Sequence, residues 1–309
     1  MKSKKKIFLQ AVCAVALIVS CLIFTQQKEI SAAEAGRTGS IHLYYSPAEG
    51  TKFSVYRAGD ITENWEFVLT GAFQDIPADL NDLDTEKMTK LAGTLGDFAE
   101  ANHTEPDFVK PTDADGEVLF ENLEKGVYLV IGESVIQDGV KYDPVPFLLT
   151  VPSLNDEGEW VYQAEAEVKY ETSVPTGEEV EYKVTKHWAD SGNDKKRPSA
   201  VTVDILKNGE LYTTQTLSAE NNWSYRWKAE DDGSVWTVVE REIPDEYTVL
   251  IEKNQTSFIV TNTYSGELPD IPKTGDSSSL PLLPAVMLAL SGTALAAFAV
   301  IRNNRRDED

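Results

Sequence analysis

From Gly39 to Tyr264 the chain is a succession of short runs rich in β-branched and aromatic residues, each closed by a turn signal. This pattern constrains the fold more than any other feature. Such strands bury one face each, so they must pair into sheets and the sheets must stack to make a core. The runs of the first half are GSIHLYY, KFSVYRA, WEFVLTGAF, EVLFENL, GVYLVIGES, PFLLTVPS and WVYQAEAEV. Those of the second half are VEYKVTKHW, AVTVDILKN, ELYTTQTL, WSYRWKA, SVWTVVERE, YTVLIEK and SFIVTNTY. About seven short strands with regular turns in each half predict an all-β chain of two tandem Ig-like or prealbumin-like β-sandwiches. The first is expected at 36–171 and the second at 180–264. The polar linker 172–179, with Pro175 and Gly177, joins them. One helix interrupts the first sandwich. Asp84 can cap it, and Met88, Leu91, Leu95 and Phe98 recur at helical spacing as a core-packing stripe. DADG before Glu117 predicts a hairpin turn rather than a calcium loop through Asp113 and Asp115, since no EF-hand loop follows. KNGE, Lys207 to Glu210, predicts a tight turn.

The two ends carry export and anchoring signals. MKSKKK, the apolar run Ile7 to Phe24 and the small residues near Ser31 to Ala35 read as a secretory signal peptide over 1–33, with an uncleaved helix as the alternative. At the other end a linker, 265–270, leads to IPKTG at 271–275. The apolar stretch at 280–301, about 22 residues, is long enough to cross a bilayer as a helix. The tail 302–309 places Arg302, Arg305 and Arg306 on the cytoplasmic side. The bulk of the chain is therefore expected outside the cell, tethered at its C-terminus.

Both cysteines, Cys13 and Cys21, fall in the signal peptide. The exported part then has neither the disulfide staple of secreted domains nor a Cys-based metal or catalytic site. The formal charge of −23 repels nucleic acid and anionic membranes, so no nucleic-acid partner is expected. His42, His103 and His187 lack metal-ligand spacing, and no P-loop, G-x-S-x-G or H-E-x-x-H occurs. No cofactor, metal or catalytic cycle is expected, and Trp188, Trp223, Trp227 and Trp236 read as core rather than as a carbohydrate platform.

Strand alternation hides one reactive set. Residues i and i+2 share a face of a strand. Val180, Tyr182, Val184, Lys186 and Trp188 share one face, Trp236, Val238 and Glu240 another, and Phe258, Val260, Asn262 and Tyr264 a third. An amine, a carboxyl and an amide are thus aimed at one core, where unpaired polar groups are costly. The bland alternative is that each sits at a strand end and reaches water. Burial would lower the pKa of Lys186 and raise that of Glu240. A neutral amine is a nucleophile, and a protonated carboxyl can polarise the Asn262 carbonyl and shuttle protons. Attack of Lys186 on Asn262 with loss of ammonia would form an isopeptide bond between the first and last strands.

Three resemblances add to this. TKHWADSGNDKKRPSAVTVDILKNGELYTTQTLSAENNWSYRW, VWTVVEREIPDEYTV and FIVTNTY resemble the B-type repeat domain of the collagen adhesin, the Cna-B domain, over the whole second unit. The resemblance implies a self-made isopeptide from Lys186 to Asn262 promoted by Glu240. Trp236 stands where Tyr is usual, and Glu246 where the P-D-G-Y turn has Gly. GVYLVIGES, PFLLTVPSLNDEGEWVY and EVKYE are similar to the N-terminal domain of Gram-positive pilins. Pilin domains of this kind often end in Pro-Lys, whose lysine accepts the next subunit. Here Val168 precedes Lys169, which is either that acceptor or an ordinary lysine leaving the last strand. The first strand carries no lysine, so no equivalent isopeptide is expected in the first domain.

The order IPKTG, apolar span, basic tail resembles the cell-wall sorting signal of Gram-positive surface proteins, whose usual form is LPxTG. It implies that a sortase cuts between Thr274 and Gly275 and joins Thr274 to an amine of the peptidoglycan or of another pilin subunit. Pro272 and Lys273 fit the motif, and Ile271 replaces the common Leu. The expected function is that of a sortase-anchored surface structural protein, an ancillary or basal pilin subunit. The alternatives are a backbone pilin polymerised through Lys169, or an adhesin whose first domain binds a host matrix protein or glycan.

Overall fold

The computed structural model describes residues 37–266 apart from 82, 156 and 157. The expected signal peptide, the IPKTG motif, the expected membrane span and the basic tail lie outside the described residues. Among the described residues no helix is long and apolar enough to cross a bilayer.

The first half contributes β1 (Gly39–Tyr44), β2 (Lys52–Ile61), β3 (Phe67–Leu69), the helix α1 (Thr85–Ala101), β4 (Phe108–Pro111), β5 (Glu117–Leu123) and β6 (Gly126–Gly132). It continues with β7 (Val135–Gln137), β8 (Val140–Pro144), β9 (Phe147–Val151), β10 (Ser153–Leu154), β11 (Trp160–Val161), β12 (Gln163–Glu167) and β13 (Tyr170–Ser173). A sheet ordered β12-β1-β5 faces a second ordered β3-β2-β6-β9, with β4 also on β2. Ile41, Leu43, Phe53, Val55, Phe120 and Val130 fill the space between them. The opposite face of the second sheet packs Ala58, Val127 and Leu129 against Leu91, Leu95 and Ala99 of α1. Strand β6 is thus buried on both sides, which is why its sequence is nearly all apolar. A register shift between Arg57 and Gly59 turns β2 from one core to the other. Gly59 is required there, because a Cβ would stand 2.6 Å from the Val68 carbonyl oxygen.

Several expectations need adjustment. WEFVLTGAF yields a three-residue strand and then a 3-10 turn at Gly71–Phe73. DADG does form a turn, with Asp113 Oδ1 accepting from the Asp115 and Glu117 amides. It joins strands of different sheets, however, since β4 pairs with β2 and β5 with β1, so it closes no hairpin. Strands β4, β7, β8 and β13 had no counterpart in the sequence reading.

The second half is built from β14 (Glu179–Ala189), β15 (Ala200–Lys207), β16 (Glu210–Ser218), β17 (Ser224–Glu230), β18 (Trp236–Glu240), β19 (Tyr247–Asn254) and β20 (Ser257–Tyr264), all seven predicted runs. Sheets ordered β17-β14-β20-β19 and β16-β15-β18 enclose one core around Val184, Val203, Val238, Val249 and Val260. Trp227 and Trp236 are buried in it, and Trp188 and Trp223 pack on it. Asn208 and Gly209 both have positive φ, as the tight turn of KNGE requires.

Helix α1 touches both halves. Asp84 caps it by accepting from the Lys87 amide. Leu91 and Leu95 enter the first core, while Phe98 and Ala101 pack on the second. Thr94 Oγ1 accepts from the Ile251 amide at 2.7 Å, Lys90 Nζ reaches Glu252 Oε2 at 2.8 Å, and Thr237 Oγ1 donates to Glu100. All five residues of β18 are buried.

Candidate functional site

Strands β14 and β20 lie side by side and run parallel, with Lys186 opposite Val260 and Trp188 opposite Asn262. Lys186 and Asn262 therefore occupy the same face, one pleat apart. Glu240 ends β18 in the opposing sheet and projects into the same space. The structure thus brings together the three residues singled out from alternation, and none reaches water at a strand end. Lys186, Glu240 and Asn262 are 4%, 0% and 0% exposed.

The contacts define the chemistry available. Lys186 Nζ lies 3.7 Å from Glu240 Oε2. It donates to the carbonyl oxygens of His187 at 3.2 Å and Val260 at 3.3 Å. A neutral amine has two N–H bonds, and these two acceptors account for both, leaving the lone pair free. Asn262 Nδ2 is 3.1 Å from Glu240 Oε1. Asn262 Oδ1 and Glu240 Oε2 have no hydrogen-bond partner among the described residues. Amide oxygen and nitrogen are nearly isosteric. Turning the amide by half a turn lets a protonated Glu240 donate to Oδ1, the arrangement that polarises the carbonyl.

Burial drives the charges in that direction. It lowers the Lys186 amine from its ordinary value to about 8, against the opposing pull of the Glu240 carboxylate. Burial also raises the Glu240 carboxyl, against the pull of Lys186 and the Asn262 hydrogen bond. Both groups are pushed towards their neutral forms, the pairing that amine attack on an amide requires.

A second layer was not visible in the sequence. The Trp188 ring lies 4.2 Å from Lys186 Nζ. Trp223 and Tyr247 meet that ring edge-on, and the Arg197 guanidinium lies 5.8 Å from its centroid. Arg197 in turn clasps the buried Asp190 through Nε and through Nη2, the latter at 2.7 Å. Asp190 and Arg197 sit in a loop, where no periodicity assigns a direction to a side chain.

Residues 182–263 match the family model of the Cna protein B-type domain. The B-type segment thus contains all three residues of the site. The collagen adhesin of Staphylococcus aureus is 34% identical over 97 residues, which is 29% of this chain and 8% of that protein. The chain therefore matches a small part of that relative's length. Among solved structures, a single B repeat unit of the collagen binding surface protein of Staphylococcus aureus aligns over 74% of this chain and 98% of its own. Its identity is 17% and its TM-score 0.27. The full-length major pilin SpaD from Corynebacterium diphtheriae aligns over 77% of this chain and 66% of its own, at 18% identity and a TM-score of 0.29. The sequence similarity thus lies in the B-type domain of the Cna protein and in the collagen adhesin.

In the B-type segment Glu246 holds φ at 66°, the left-handed conformation that a Gly would adopt freely. Its carboxylate pairs with Lys196 Nζ at 2.9 Å. In the first half Lys169 is exposed between β12 and β13, its carbonyl accepting from the Val145 amide. His42, half-buried within β1, hydrogen-bonds Glu117 and Tyr44.

Proposed function

We propose that the chain is a sortase-anchored surface structural protein, an ancillary or basal pilin subunit, whose B-type segment cross-links itself from Lys186 to Asn262. The observation that carries the cross-link is the dry meeting of three groups. A buried amine stands 3.7 Å from a buried carboxyl, which stands 3.1 Å from a buried amide.

The reaction follows from that geometry. Glu240, protonated, donates to Asn262 Oδ1 and makes the amide carbon electrophilic. The lone pair of Lys186 Nζ adds to that carbon, forming a tetrahedral centre. Glu240 takes a proton from Nζ and delivers one to Nδ2, which leaves as ammonia when the C–N bond breaks. The new Nζ–Cγ amide remains, and Glu240 ends in the protonation state in which it began. The step turns over once, because the nucleophile is consumed.

Intact mass tests this part. Residues 37–266 should be lighter than their sequence by one ammonia, and Glu240→Ala should restore the full mass. An unshifted wild-type mass sinks the cross-link.

Anchoring rests on the IPKTG motif and its position in the sequence. Sortase would transfer the Thr274 acyl group to an amine of peptidoglycan or of another subunit. Thr274→Ala should then leave the chain in the membrane fraction and remove it from the wall fraction. The exposure of Lys169 supports a second reading, the backbone pilin. Detergent-resistant ladders abolished by Lys169→Ala would establish that role, and ladders that persist would reject it.

A further inference from the structure

Lys186 is exposed to the solvent at no point of its side chain, and the aromatic group beside it is only partly buried, packed against the core of the second half. Trp188 follows two residues later on the same face and brings its ring to 4.2 Å from Nζ. That ring is itself held from three sides. Trp223 and Tyr247 contact it at 5.4 and 5.3 Å between centroids, and Arg197 lies 5.8 Å from it. Arg197 is fixed by two hydrogen bonds to Asp190, which is 3% exposed and also receives the Tyr247 hydroxyl at 3.5 Å. A buried carboxylate with a bidentate guanidinium partner is a costly device for a loop merely to be closed.

Resting on the cross-linking reading above, we infer that Arg197, locked by Asp190, is a positioning residue for the reaction. It presses the Trp188 indole against the Lys186 amine and adds a positive charge beside the Lys186–Glu240 pair. The indole keeps water from the nucleophile. The charge disfavours every added proton, so it lowers the pH range over which the pair holds a single proton, the count that attack requires. The charged groups that face this pair are Arg197, with Asp190 behind it, and the pair's own members.

The test uses residues 37–266 recovered unfolded, refolded by dilution and then sampled for ammonia loss by intact mass across pH. In Arg197→Met the window of fast reaction should move to higher pH by about half a unit to one unit. Arg197→Lys, which keeps the charge, should retain the wild-type window while reacting more slowly. If Arg197→Met fails to fold, Asp190→Asn with Arg197→Met removes both charges without stranding one, and a smaller upward movement is expected, because the more distant Asp190 carboxylate offsets part of the Arg197 charge. A window unmoved in the Met variants, whatever the rate, overturns the inference. A wild-type chain that never loses ammonia sinks the cross-link itself, a distinguishable result.

Discussion

Burial pushes Lys186 and Glu240 each towards its neutral form, and that push has a sign in stability. In the folded domain the amine titrates at about 8, below the ordinary lysine value of 10.5. Between those values the unfolded chain binds the extra proton, so unfolding free energy rises with pH. Asn262→Ala, which cannot cross-link, should therefore gain thermal stability from pH 8 towards pH 10, and a variant that also carries Lys186→Met should not. Glu240→Gln keeps the shape of the carboxyl but supplies no acid, so it should fold and keep its ammonia. This triad was legible because strand period fixes which side chains share a face, and Lys186, Glu240 and Asn262 each break an apolar face. Asp190 and Arg197 were not legible. They lie in a loop, and only the closed structure brings them to Trp188.

At the scale of elements, α1 was readable as a helix from its cap and its stripe, but the stripe serves two cores. Leu91 and Leu95 face one sandwich and Phe98 the other, a division that spacing alone cannot reveal. Thr94 shows what joins the helix to the B-type segment. Thr94→Val removes the acceptor of the buried Ile251 amide and should cost about 1–3 kcal/mol in chemical denaturation. Asp84→Ala removes the cap and should cost about 1 kcal/mol. The seven strands of the second half were legible because each is long and alternates. Strands β4, β7, β8 and β13 were not: all are short, β4, β7 and β13 are largely exposed, and β8 buries Lys141 and Pro144, so neither alternation nor an apolar run marks them. Asp138 and Gly139, both at positive φ between β7 and β8, were the available signal for one of these hairpins.

For the whole molecule, a bond from Lys186 to Asn262 would enclose nearly the entire B-type segment in one covalent loop. Wild type should exceed Glu240→Gln in unfolding free energy by about 4 kcal/mol, the scale of closing a loop of that size. Stretched between its ends in a single-molecule experiment, wild type should never release residues 187–261, whereas Glu240→Gln should release them in one step. The parallel pairing of β14 and β20 gives that experiment a direction. Load from the N-terminal half enters at the start of β14, and load from the C-terminal side enters at the end of β20. These are opposite ends of two neighbouring strands that point the same way. Tension therefore slides the strands past each other and strains all the ladder hydrogen bonds at once, instead of peeling them one by one. Without any covalent bond the two strands are already arranged as a lap joint, and the proposed cross-link would be the rivet through its overlap.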